Sequence, residues 1–218
     1  MWQWYKSLKL LAHFLDGGME EGRYQYTPEE AAMLMRRRIF IRLKWFAILG
    51  VIIATLVASQ VFRIGFPTLP VYIICGCIAL YNLMFYFQLR GLETLPARLL
   101  MPKMTIYGVS HIVLDISAFV VLLHFTGGIE NPFVFFVALH IVGASAILRR
   151  RTVYWIATQA LVLVLLLAVL EYVGVIPHIN LGGFASPTLY KEGSYILAVA
   201  TALASVLYAT AYMATAVS

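Results

Sequence analysis

MTIYGVSHIVLDISAFVVLLHF, residues 104–125, runs directly into TGGIENPF, residues 126–133, and a second apolar run begins at Pro132. The first run can cross a hydrocarbon core of ~30 Å as a helix, which takes about 20 apolar residues. TGGIENPF is the only polar interruption before the chain turns apolar again, so it must turn at a membrane surface. Gly127 and Gly128 can adopt backbone angles closed to other residues, and Asn131-Pro132 places proline where a new helix starts. The expectation is a compact loop with exposed backbone amides. The spans on either side become antiparallel neighbours.

The same pattern repeats along the chain. Of 218 residues, 62% are hydrophobic and 12% charged, against roughly 25% charged residues in a soluble domain. The expected class is therefore all-α, a polytopic membrane protein embedded in the lipid bilayer. Six apolar runs are read, approximately Leu43 to Phe62, Thr68 to Leu89, Met104 to Phe125, Pro132 to Leu148, Thr152 to Val175 and Ser194 to Val217. The first 20 residues mix Trp2, Trp4, Lys6, Lys9, His13 and Asp16 and do not read as a cleavable signal peptide, so the first span doubles as the insertion signal. Cys75 and Cys77 point to different sides of the second span, which suits neither a disulfide nor a metal pair; both read as small buried apolar residues.

Basic residues set the orientation. Arg36, Arg37, Arg38, Arg42, Arg90, Arg98, Lys103, Arg149, Arg150 and Arg151 flank one side of the bundle, and the opposite loops hold only Arg63 and Lys191. Both termini are expected in the cytoplasm of a bacterial inner membrane protein, with TGGIENPF outside. The net charge of +6 then reflects topology and anionic headgroups rather than nucleic acid.

Residues 1–35 are expected as a cytoplasmic or interfacial segment and 36–218 as the six-helix domain. Trp2, Tyr5, Leu8, Leu11, Phe14 and Leu15 recur near helical spacing, which predicts an amphipathic helix on the inner membrane face, broken at Gly17-Gly18. Thr27-Pro28-Glu29-Glu30 predicts a helix start that continues through Arg38 into the first span. Tyr212 to Ser218 lack the basic anchor usual at an inner surface, which suggests one module of a longer protein. The small residues of the sixth span, Ala198, Ala200, Ala202, Ala204, Ser205, Ala209 and Ala211, suit either bundle packing or a homodimer seam.

Ionisable groups inside a span are costly and are functional candidates: His111, Asp115, His140 and Glu171. His111 and Asp115 are one helical turn apart and share a face with Tyr107. Counting from the loop at 1.5 Å per residue, Asp115 lies about 15 Å deep and His140 about 12 Å. The two are expected to approach each other, either as a proton-coupled site, such as one serving a quinone, or as a polar clamp between helices. No helix face gathers enough ligands for a metal centre. A second group, His124, Glu130, Asn131, Glu171 and His178, with Tyr172 near, falls in the outer layer, where Glu171 is expected to reach headgroup water.

The segment HIVLDISAFVVLLHFTGGIENPF, His111 to Phe133, resembles the third span and GGxxNPF loop of the amino-terminal membrane domains of bacterial sensor histidine kinases, including RegB-type redox sensors. Arg42-Leu43-Lys44-Trp45, Tyr81-Asn82-Leu83, His140 in FFVALHIVGASAILRRR, Glu171 to Phe184 and the closing YMATAVS extend the resemblance over roughly residues 36–218. It implies a quinone-sensing site at Gly127, Gly128, Asn131, Pro132 and Phe133, no covalent cofactor, and a homodimer that addresses a response regulator through a kinase domain outside these residues. The chain departs from the family in lacking a phosphoacceptor helix and ATP-binding segments, so kinase activity is not expected within it. A small membrane enzyme or carrier using His111, Asp115 and His140 directly, or a ligand-free scaffold, are the competing readings.

Overall fold

The computed structural model describes residues 27–93, 97–182, 184, 186 and 188–217. The amphipathic segment expected over residues 1–26 lies outside the described residues. The described residues form six principal helices, α1 (Pro28–Leu56), α2 (Thr68–Leu92), α3 (Ala97–Phe125), α4 (Val137–Ile147), α5 (Arg150–Val173) and α6 (Gly193–Val217). The one β contact among the described residues is an antiparallel bridge between Gly65 and Gly182, which ties the α1–α2 loop to the α5–α6 connection.

Among the described residues, five helical stretches are long and apolar enough to cross a membrane: Ala31–Val61, Thr68–Leu92, Pro102–Phe125, Arg150–Val173 and Gly193–Ala216. The remaining apolar helix, Pro132–Ile147, is shorter. It opens as a 3₁₀ turn over Pro132–Phe136 before α4 proper, and the tighter turn gains length, at about 2.0 Å per residue instead of 1.5 Å. Only Leu148 and Arg149 separate α4 from α5, so α5 starts beside the end of α4.

The main core lies between α3, α4, α5 and α6. Ile112, Ile116, Val120 and Leu123 of α3 meet Val137 and Ile141 of α4, Ile156 and Val164 of α5, and Leu203 and Leu207 of α6. Ala144, Ala157, Ala160 and Ala211 are fully buried there. In a bilayer the drive for such contacts is close packing, and small side chains permit it. Against this core α1 and α2 pack as an outlying pair, through Leu34, Ile41, Phe85, Leu89, Met104 and Tyr107 near the inner end and Ile48, Val71 and Cys75 further out. Their outward faces, such as Phe46, Leu49 and Ile53, or Leu80 and Phe87, are apolar and exposed, as lipid contact requires. Cys77 is on such an exposed face, so only Cys75 fits the expectation of a buried apolar residue.

The loop departs most from expectation. Gly127, Gly128, Ile129, Glu130 and Asn131 are all buried, so the backbone is not presented to the outside. The expected geometry itself is present. Gly127 and Gly128 have φ of +100° and +55°, Asn131 caps the next turn by accepting from Phe133 N at 2.9 Å, and Pro132 occupies its first position. The loop is buried because the α5–α6 connection and the start of α6 fold over it: Leu181 lies where a Cβ on Gly127 would have to go, and Tyr195 of α6 donates to Ile129 O at 3.2 Å.

Candidate functional site

Buried polar side chains gather in two places, one under the outer loop and one deeper between α1, α2 and α3. In the outer group, Glu171 near the end of α5 is 1% exposed and uses both carboxylate oxygens. Oε1 accepts from His124 Nδ1 of α3 at 2.8 Å and Oε2 from His178 Nδ1 at 2.7 Å. When Glu171 is ionised it can only accept, and both imidazoles then donate from Nδ1. The other nitrogen of His178 faces Glu130 Oε2 at 3.5 Å, and both side chains are 1% exposed. Glu130 Oε1 in turn accepts from Tyr190 N at 2.8 Å, and the Tyr190 ring stacks on His178 at 3.9 Å.

Glycine is required at 128 for two reasons. The backbone is left-handed, and a Cβ there would collide with the Glu171 carboxylate. Asn131 Nδ2 donates to Thr126 O and Oγ1 at 2.9 and 2.8 Å, closing the turn on itself. Thus Gly127, Gly128 and Asn131 shape and bury the loop, whereas Pro132 and Phe133 are exposed. Phe133 meets Phe136 edge-on at 5.0 Å, forming an apolar aromatic surface at the foot of α4. Glu171 does not reach headgroup water as expected, because the two histidines and the Gly128 backbone cover it. Of the residues assigned to that layer, His124, Glu130, Glu171 and His178 come together; Tyr172 is exposed instead.

The inner group centres on Asp115. Its Oδ1 accepts from Lys44 Nζ of α1 and from the Tyr81 hydroxyl of α2, each at 2.7 Å. The Lys44 ammonium also meets His111 Nε2, and the His111 ring stacks on Phe85 at 4.0 Å with Phe40 and Tyr107 at its edges. Towards the inner surface, Arg37 is 2% exposed, with its guanidinium 5.5 Å from the Tyr107 ring centroid and packed against Gly108. Arg36 and Arg37 donate to Ala146 O and Ile147 O at 3.1 and 3.4 Å. Two cations thereby cap the C-terminal carbonyls of α4, where helix partial charge is negative.

Among the described residues Asp115 and His140 make no direct hydrogen bond, although the carboxylate lies near enough to act on the imidazole through space. The His140 ring lies 5.4 Å from Phe119, one turn nearer the loop than Asp115. A buried carboxylate needs a cation, and Lys44 supplies one at hydrogen-bond distance. Lys44 and Tyr81 are therefore the site residues that hydropathy did not single out. Lys44 falls at the edge of a span drawn from Leu43, but α1 begins at Pro28, which places Lys44 well inside the helix.

The Asp115 carboxylate is buried and takes hydrogen bonds from two other helices, which suits a fixed junction of α1, α2 and α3. The outer cluster joins two stretches that are far apart in sequence: the end of α3 with the loop that follows it, and the end of α5 with the connection into α6.

No curated protein and no solved structure matches the chain. The model of the PilS-like transmembrane domain, a six-helix membrane domain, matches residues 39–218. That range takes in all of α2 to α6, most of α1 and both polar clusters. It supports the broader expectation of a six-helix membrane sensor domain of histidine kinases and leaves the RegB-type refinement as a proposal. With a match over most of its length, and with six apolar helices in the order described, this chain belongs to the PilS-like transmembrane domain family.

Proposed function

We propose that the chain is the sensory and signal-transmitting membrane domain of a two-component histidine kinase, reading a quinone or similar lipophilic redox ligand near the outer face of the inner membrane. Both termini then lie in the cytoplasm, two copies associate through the exposed small-residue face of α6, and the response regulator is reached through a kinase domain outside these residues. The observation that carries the reading is the GGIENPF loop, buried from Gly127 to Asn131 and joined to α5 through Gly128 against Glu171 and to the segment before α6 through Glu130 and Tyr190. A ligand whose tail stays in the bilayer meets the exposed Pro132–Phe133–Phe136 surface first. Gly127, Gly128 and Asn131 hold that surface in place. A ligand that prefers one packing of the loop over another by a few kcal/mol shifts the population accordingly.

The enzyme or carrier alternative finds less support. It needs His111, Asp115 and His140 in one accessible site, whereas Asp115 is engaged by Lys44 and Tyr81 and His140 stands against Phe119. The test is to titrate a short-chain quinone analogue into the purified chain in lipid nanodiscs and follow its melting temperature, for wild type and for Pro132→Ala and Phe133→Ala. The reading expects stabilisation of wild type and a weaker response in both variants. Equal responses in all three would remove the loop as the site.

A further inference from the structure

With Glu171 ionised, each of its oxygens takes one N–H from an imidazole, and His178 Nδ1 carries a hydrogen. A neutral His178 then presents the lone pair of Nε2 to Glu130 Oε2, another lone-pair atom, 3.5 Å away in a site where both side chains are 1% exposed. Among the described residues neither of these two atoms has a hydrogen-bond partner. Two buried acceptors facing each other are unfavourable, whereas one proton between them, on nitrogen or on oxygen, turns the pair into a charge-assisted hydrogen bond.

We infer that the gap between Glu130 Oε2 and His178 Nε2 is a proton-binding site, and that its proton holds the GGIENPF loop against the α5–α6 connection. Release of the proton sets a carboxylate against an imidazole lone pair and loosens Glu130 from His178 and Tyr190. The domain is thereby sensitive to the acidity of the compartment facing the loop, whatever lipophilic ligand the loop also reads. The other ionisable groups facing the pair are His124 from α3, Glu171 from α5, Tyr190 from the connection and Tyr195 from α6. Lys191 and Glu192 are exposed beside them, with Lys191 Nζ 5.6 Å from the Tyr190 ring. A fixed cation does not enter the contact itself, so the charge of the pair is set by its own proton.

The sign follows from linkage. The folded chain retains a proton that the unfolded chain gives up, so stability is present at low pH and is lost as pH rises through the release. The experiment measures the melting temperature of the full chain in nanodiscs from about pH 5 to about pH 8, the interval in which imidazole ordinarily changes charge. Wild type is expected to lose about 3–5 °C per pH unit where the proton leaves. Glu130→Gln is expected to lose that slope, because its amide brings its own N–H to His178 Nε2 while its oxygen still accepts from Tyr190 N. Parallel curves for the two proteins would overturn the inference.

A further reading uses wild type alone. Nitrogen-15 spectra of histidine-labelled chain at the acid end of the range should show His178 with hydrogen on Nδ1 and a protonated or strongly hydrogen-bonded Nε2. A free Nε2 lone pair there would refute the site even if the variant failed to fold.

Discussion

The two polar clusters bury charge in different ways. The inner one pairs the Asp115 carboxylate with the Lys44 ammonium and the Tyr81 hydroxyl, and it joins the middles of three helices. The outer one sets two carboxylates, Glu130 and Glu171, against two imidazoles, His124 and His178, and it joins helix ends and loops. The lysine–aspartate contact is held between three packed helices, so the inner cluster acts as a hub. Imidazole–carboxylate contacts change with protons and with small displacements of the loop, so the outer cluster is the adjustable end. Between the two, Ile116, Val120 and Leu123 form a dry apolar layer along α3. The inner end can therefore stay rigid while the outer end moves.

The largest expected effect falls on the hub. Lys44→Met leaves the Asp115 charge buried without a cation, and removing one partner of such a pair costs about 3–5 kcal/mol. Thermal unfolding in nanodiscs should show this loss, and adding Asp115→Leu should restore most of it. If the single and double variants melt alike, the inner cluster is not held by charge balance. Next is Gly128→Ala, which combines a left-handed backbone with a methyl group pushed into Glu171; strain of this kind costs about 1–3 kcal/mol. Gly50→Ala, where nothing lies within 4 Å of a built Cβ, is the matched control and should not destabilise. A smaller loss, about 1 kcal/mol, is expected for Asn131→Ala, which removes the cap on Phe133 N. The smallest belongs to the half-exposed Arg38–Glu93 pair at 2.9 Å, where Arg38→Ala should cost under about 1 kcal/mol and less at high salt. An Arg38 effect as large as that of Lys44 would erase the distinction between buried and exposed charge on which the comparison rests.

The helices were legible because hydropathy is a local signal and a membrane fixes its required length. The loop conformation was legible for a similar reason: Gly127, Gly128 and Asn131-Pro132 act through their own backbones. The grouping of His124, Glu130, Glu171 and His178 could be read because all four fall in one layer near one membrane face. Their burial could not, since it depends on the connection around Tyr190 and Leu181 folding back over the loop. The partner of Asp115 was also hidden. Adjacency in sequence favours α3 with α4, but nothing in the chain's order says that α1 brings Lys44 to the same depth. A side chain at the edge of a hydropathy window looks like a surface anchor until the full length of its helix is known.

The central claim is that the outer loop communicates with α6. The most direct measurement places a spin label on a cysteine at Met213, an exposed position near the inner end of α6, with Cys75 and Cys77 replaced by alanine. Spectra are recorded in nanodiscs with the oxidised and then the reduced form of a short-chain quinone analogue, for the otherwise wild-type chain and for Gly128→Ala. The account predicts a spectrum that changes with the redox state of the analogue and a change that Gly128→Ala removes. Identical spectra in both redox states, or a change that persists undiminished in Gly128→Ala, would contradict it.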